Sequence, residues 1–178
     1  AVLLGVSVQP GAGFTTIRPA ELSPLAKLVM LLPMNIGGAL GSTAGAIKIY
    51  RILVLVALVR MTIFRVALRQ NVVKPFLVGG RSLERDEVET VAAFVIGYLA
   101  LLGLSTACFV AVGFDALDAL FECSSALGAS GFTVGLASKG LPVWHKLLLT
   151  FNMWVGRVEI IPAALALYPP IWLRRQKA

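Results

Sequence analysis

Charge is scarce in this sequence: Asp, Glu, Lys and Arg together make up 14% of its 178 residues, against 58% hydrophobic. That balance excludes an ordinary soluble domain and leaves an integral membrane protein whose main partner is the lipid bilayer. Histidine occurs once, at His145, and cysteine twice, at Cys108 and Cys123, in apolar surroundings without metal-ligand or disulfide spacing. No nucleophile-and-base pair, metal cluster or phosphate-cradling loop can be assembled, so nothing points to an enzyme or a bound cofactor. An initiator Met, a basic n-region and a cleavage site are also missing, and Ala1-Val2-Leu3-Leu4 reads as the tail of an interrupted element. The net charge of +7 is not spread over a soluble face with interleaved aromatics, which argues against nucleic acid.

The charges that exist collect at the ends of apolar stretches. Three such stretches suit a hydrocarbon core that takes roughly 20 residues per crossing: Ser23 to Arg69, long enough for two crossings or one broken one, Val88 to Val112, and His145 to Leu173. Arg51, Arg60, Arg65, Arg69, Lys74, Arg81 and Arg85 surround one connection, and Arg174, Arg175 and Lys177 follow the last stretch. By the positive-inside rule both regions are expected to be cytoplasmic. The connection at 70–87 is expected to turn as a small hairpin at Gly79-Gly80. The opposite ends hold Arg18, Asp115, Asp118, Glu122, Lys139 and Lys146, a smaller and more acidic set suited to raising cation concentration at an external mouth.

What is present, and twice, is a glycine-centred loop. Ala12-Gly13-Phe14-Thr15 returns as Ser130-Gly131-Phe132-Thr133, 118 positions later, and in the same register Ser7 matches Ser125, Pro24 matches Pro142 and Gly38 matches Gly156. Between Val112 and Pro142 the chain cannot cross a membrane twice and must enter and return. Ala116 to Leu127 is expected to be a short helix with Asp115 as N-cap, stopped by Gly128, with Ala129 to Thr133 returning extended. Val88–Val112 and His145–Leu173 flank this unit as outer and inner helices. The first copy repeats it with its start missing: Ala1 to Val8 as the end of a pore helix, Gly11 to Thr16 as the loop, Ser23 onward as the inner helix.

Irregular backbone at membrane depth is tolerated where it lines a cavity, and carbonyl rings can replace an ion's hydration shell. The carbonyls of Gly11, Ala12, Gly13 and Phe14, and of Ala129, Ser130, Gly131 and Phe132, are therefore the candidate ion ligands. The inner helix of the first copy contains four glycines in nine residues, Gly37, Gly38, Gly41 and Gly45, each costing a helix about 1 kcal/mol relative to Ala. With Pro33, Asn35, Ser42 and Thr43 among them, an unwound loop is favoured over a helix with a small-residue packing stripe. Arg157 lies about 15 positions after Pro142 and, at 1.5 Å per residue, roughly 22 Å along a helix, well inside the bilayer. It is expected to meet the carbonyls of the Gly37–Gly45 loop and to oppose cations, with Glu159 meeting Lys48 or another basic residue. His145 is expected to be an exposed residue at the external helix end.

Taken together these residues resemble the Trk/Ktr/HKT superfamily of potassium transporters, specifically the C-terminal half of the bacterial membrane subunit. Ala12-Gly13-Phe14 is similar to that family's third filter, and Gly37-Gly38 through Gly41-Ser42-Thr43-Ala44-Gly45 with Ile47-Lys48 to its intramembrane gating loop. Gly156-Arg157-Val158-Glu159 is similar to the arginine motif of its last inner helix. The resemblance implies an all-α membrane fold of helix, re-entrant pore loop and helix repeats with a broken inner helix. Residues 1–69 would be the third repeat, 70–87 a cytoplasmic connection, 88–173 the fourth repeat and 174–178 a cytoplasmic tail. It further implies two preceding repeats, potassium as the substrate with sodium or a proton as a candidate coupling ion, a homodimer, and a cytosolic nucleotide-binding regulatory subunit. Gly37, Gly38, Gly41, Ser42, Thr43, Gly45, Lys48 and Arg157 would form the gate. Pro10-Gly11 stands where the family often has Arg-Thr, and Ala129-Ser130 where Thr-Val is frequent. The competing classes are a broken-helix transporter of a small solute, a sodium-permeable member of the same family, and a non-transporting scaffold.

Overall fold

The structure is a computed structural model, and it describes residues 7–39, 42, 44–68, 77–78, 81–82 and 85–167. Ser7 and Val8 close a helical turn, and a short 3-10 turn follows at Pro19–Glu21. Helix α1 (Pro24–Asn35) starts where Ser23 caps it, its hydroxyl accepting from Ala26 N, with Pro24 in the first position where its missing N–H costs nothing. It ends at Asn35. Strand β1 (Ile36–Gly37) then pairs in parallel with β2 (Ile47–Lys48), Ile36 opposite Ile47 and Gly37 opposite Lys48. The chain thus leaves the helix, loops and returns to its starting point, and α2 (Ile49–Leu68) begins at once. The break expected from the glycine run is present, closed at its base by a two-residue ladder.

Strands β3 (Leu77–Val78) and β4 (Arg81–Ser82) pair antiparallel, the hairpin expected around Gly79-Gly80, a dipeptide that itself lies outside the described residues. Helix α3 (Arg85–Ala111) starts earlier than Val88, with Asp86 and Glu87 in its first turn complementing the helix dipole. Its 27 residues span roughly 40 Å, ample for a bilayer. The re-entrant helix α4 (Ala116–Gly128) is capped as expected by Asp115, whose carboxylate accepts from Leu117 N and Asp118 N. Helices α5 (Val143–Val158) and α6 (Ile160–Leu167) follow.

The last inner helix was expected to run unbroken from His145 to Leu173, and it does not. It ends at Val158, turns by 110° at Glu159 and resumes at Ile160. Glu159 has φ +72, a conformation unusual for any residue with a side chain, so the helix cannot pass through it. His145 is likewise corrected. It is buried between the rings of Phe109 and Phe114, at 4.7 and 6.1 Å, with Nε2 3.3 Å from the Cys108 carbonyl. Aromatic residues before Asp115 fold back over the start of α5 and cover it.

Helix α4 is the centre of the packing. Every residue from Phe121 to Gly128 is buried, enclosed by α1, α3 and α5. Two polar tethers fix its neighbours. Tyr98 on α3 donates to Asn35 Oδ1 at 2.9 Å, while Asn35 Nδ2 reaches Leu31 O at 2.8 Å and Ser124 Oγ on α4 at 3.2 Å. Ser105 on α3 donates to Asn152 on α5 at 3.1 Å, both fully buried. Such bonds between helices in lipid contribute of order 1 kcal/mol each.

The C-terminal end of α4 is reached at backbone distance from three sides. A Cβ on Gly156 would run into the Leu127 carbonyl; one on Gly45 would stand 2.7 Å from Leu127 O and 2.9 Å from Gly128 O; one on Gly128 would stand 2.5 Å from Met34 O. Gly37 is in turn closed off by the Gly45 carbonyl. By contrast nothing lies within 4 Å of a Cβ on Gly103, midway along α3. Gly156→Ala is expected to destabilise by about 1–3 kcal/mol through overpacking, and Gly103→Ala to stabilise by up to about 1 kcal/mol through helix propensity. Thermal unfolding midpoints of the two variants in detergent, moving in opposite directions, test this; equal midpoints would refute the backbone junction at Leu127.

Candidate functional site

The two glycine loops lie side by side and are built alike. Gly11 N donates to Val8 O and Ala12 N to Ser7 O, each at 3.1 Å; 118 positions on, Ala129 N donates to Ala126 O at 3.2 Å and Ser130 N to Ser125 O at 3.1 Å. Backbone signs match too. Gly11 and Gly13 have φ +69 and +72, Ala129 and Gly131 φ +52 and +77, while the residues between them stay at negative φ. Alternating signs turn successive carbonyls toward one side of the chain, where a regular strand would alternate them. Carbonyls grouped on one side can act as a ladder of cation ligands.

Glycine is needed here for space as well as for φ. A Cβ on Gly11 would lie 3.1 Å from Ala129 O, and one on Gly13 2.9 Å from Ser130 O. The carbonyls of the second loop therefore face the glycines of the first. The phenylalanines after the glycines diverge: Phe132 is 3% exposed, packed with Val8, Met30, Leu31, Met34 and Phe121, while Phe14 is 74% exposed. Ser130 Oγ meets Ser125 Oγ at 3.3 Å. Its counterpart is Ala12, and Ser7 Oγ has no hydrogen-bond partner among the described residues.

Directly beneath lies the segment between β1 and β2. Gly45 abuts the last carbonyls of α4, and Ala46, at φ +66, turns the chain back toward β2. Ser42 N bonds Ala39 O at 3.0 Å, and Ser42 Oγ accepts from Ala44 N at 3.2 Å. A Cβ on Gly38 would meet that same Ser42 side chain, 2.7 Å from Oγ. Gly41 and Thr43 lie outside the described residues. The negative pole of the α4 dipole thus points at this segment, which packs directly against it at Gly45.

The breaks in the two inner helices are joined by charge. Lys48 donates to Glu159 Oε1 and Arg51 to Glu159 Oε2, both at 2.5 Å, and the Arg51 guanidinium stands 3.7 Å over the Phe94 ring. The expected partner of Glu159 is therefore found, with a second arginine added. Arg157, in the last turn of α5, is exposed two positions before the break.

The acidic residues on and just before α4 each have a structural partner. Asp115 caps α4. Asp118 accepts from Lys27 at 2.6 Å, a lysine buried on α1 that the sequence reading passed over because it sits inside an apolar run. Glu122 is buried, and one oxygen accepts from Thr133 Oγ1 and Val134 N, each at 3.1 Å. Above the loops an open cavity of about 370 Å³ is lined by Thr15 to Ala20 and Thr133 to Gly135.

Comparison with known proteins agrees with this geometry. The family described as TrkH, cation transport protein, matches residues 1–170. An uncharacterized cation transporter of Methanocaldococcus jannaschii is 30% identical over 95% of the chain, and the Trk system potassium uptake protein TrkH of Escherichia coli 28% identical over 94%. The crystal structure of the potassium transporter TrkH from Vibrio parahaemolyticus superposes with a TM-score of 0.78 at 29% identity, covering 94% of the chain. In each case the chain spans about a third of the relative's length: 35%, 35% and 36%. With the matched family, the shared helical membrane fold and the paired carbonyl loops, the chain belongs to the TrkH family of cation transport proteins.

Proposed function

We propose that this chain supplies two adjacent quarters of a potassium pore in the cytoplasmic membrane, residues 1–69 forming one repeat and 88–173 the next. The observation that carries this is the pair of loops with matching hydrogen bonds and matching alternation of φ. Two loops cannot encircle an ion, so the ring is completed by further repeats of the same kind. The carbonyls of Gly11 to Phe14 and Ala129 to Phe132 line two sides of the filter and favour potassium. Support for the ion comes from the relatives named as potassium uptake proteins and potassium transporters.

In this reading the filter opens outward and the basic ends of α2 and α3 face the cytoplasm, as the positive-inside rule requires. The segment from Gly37 to Lys48, including Gly41, Ser42, Thr43 and Gly45, blocks the path below the filter. Arg157 presents positive charge there and raises the barrier for cations. The family resemblance adds a homodimer and a cytosolic nucleotide-binding partner that moves the segment aside.

Two outcomes test the reading in the full-length protein reconstituted into liposomes. Gly131→Asp places a chiral residue at φ +77 and a carboxylate in the filter, and potassium and rubidium flux is expected to fall at least about tenfold, equivalent to about 1.4 kcal/mol of barrier; unchanged flux would remove the filter assignment. Deleting Gly41 to Gly45, or making Arg157→Ala, is expected to raise flux by about tenfold or more as the barrier charge and its loop are lost. Unaltered flux in both would place the barrier elsewhere.

A further inference from the structure

The two loops share their entry but not their exit. Thr15 and Thr133 are counterparts at the 118-residue offset, and each hydroxyl accepts from the backbone N–H two residues on, Ile17 N at 3.1 Å and Gly135 N at 2.9 Å. The hydroxyl proton goes to different places. Thr15 gives it to the carbonyl of Ile17, within its own loop. Thr133 gives it to Glu122, on the helix behind the filter, and the same carboxylate oxygen also takes Val134 N. Glu122 is 4% exposed, on the buried stretch of α4 from Phe121 to Gly128. The residue at its place in the first copy is Leu4, which has no acceptor to offer.

A buried carboxylate is retained only where donors satisfy it, and here the Thr133 hydroxyl and Val134 N, from the first two residues after Phe132, are joined by the backbone of Ala137 further along the same segment. Lys27 neutralises Asp118, one turn earlier on α4, so the second negative charge on that face is already matched. We infer that Glu122 is a positioning residue for ion selectivity: it clamps the exit of the second filter loop to the helix behind it, and it does so in that loop alone. The filter is then stiff on one side, where Glu122 sets the height of the Gly131 and Phe132 carbonyls. On the other side, at Gly13 and Phe14, the bonds at the loop exit among the described residues are the local ones between Thr15 and Ile17. This rests on the pore reading above.

The test compares wild type, Glu122→Gln and Glu122→Leu as full-length protein in liposomes, scoring potassium flux against sodium flux in each. Gln keeps one carbonyl oxygen for the Thr133 hydroxyl and Val134 N, and its potassium-to-sodium ratio is expected to stay within about twofold of wild type. Leu leaves Val134 N and the Thr133 hydroxyl without their partner, and the ratio is expected to fall about tenfold. A ratio in Glu122→Leu equal to wild type would overturn the inference. Where that variant does not fold, Thr133→Val, which leaves the buried carboxylate in place and removes its one side-chain donor, is expected to lower the ratio by about threefold, and an unchanged ratio there overturns it equally. Wild-type protein that passes no potassium would instead overturn the pore reading itself.

Discussion

The rest of the structure hangs on the bare carbonyl end of α4. A helix that stops in the middle of a membrane protein leaves its last C=O groups without intrahelical partners, and here they are met by backbone. Ser125 and Ala126 accept from the loop that follows, while Leu127 and Gly128 are approached by Gly45 and Gly156 at distances no side chain permits. Met34, at the end of α1, closes the third side through its carbonyl opposite Gly128. The second glycine loop, the segment between β1 and β2, α1 and α5 therefore meet at one point. A displacement of any one of them changes the surroundings of the other three.

Much of this was legible in the sequence because it is written in glycine. The 118-residue register predicted two equivalent loops, and the structure returns them with equivalent bonds. The glycine run from Gly37 to Gly45 predicted an unwound segment, and β1 and β2 bracket one. What stayed hidden depends on the third dimension. A local signal for the break at Glu159 is present but easily passed over, in Gly156 three positions before it and Pro162 three after, whose missing N–H leaves the Val158 carbonyl without a helical donor. What the sequence does not show is that the turn falls at Glu159 itself, whose positive φ goes with contacts to Lys48 and Arg51 more than 100 positions away. His145 looked like a surface residue because it stands beside Lys146 at a helix start, and the rings that cover it come from the far end of α3 and the turn after it. Glu122 looked like mouth charge because its burial depends on how α1 and the loop close over α4.

Three ion pairs among the described residues tie separate elements together. Lys27 with Asp118 joins α1 to α4, and Lys48 and Arg51 with Glu159 join the two interrupted helices at their breaks. Such part-buried pairs add little net stability, because desolvation offsets most of the attraction. Their effect is on geometry: each fixes the relative position of two elements that apolar packing alone would let slide. Arg51 adds a second constraint by stacking on Phe94, which fixes α2 against α3 at the same level.

The alternating backbone of the two loops has a consequence for the chemistry of heredity. At Gly11, Gly13 and Gly131 the chain takes the conformation natural to a D-residue. Of the twenty encoded residues only glycine lacks handedness. What the loops demand at those positions is thus freedom from L-handedness as well as room for the facing carbonyls, and a mirror-image alanine would suit the φ values where an ordinary one would not. Ala129, an L-residue held at φ +52, marks where the second loop tolerates that conflict.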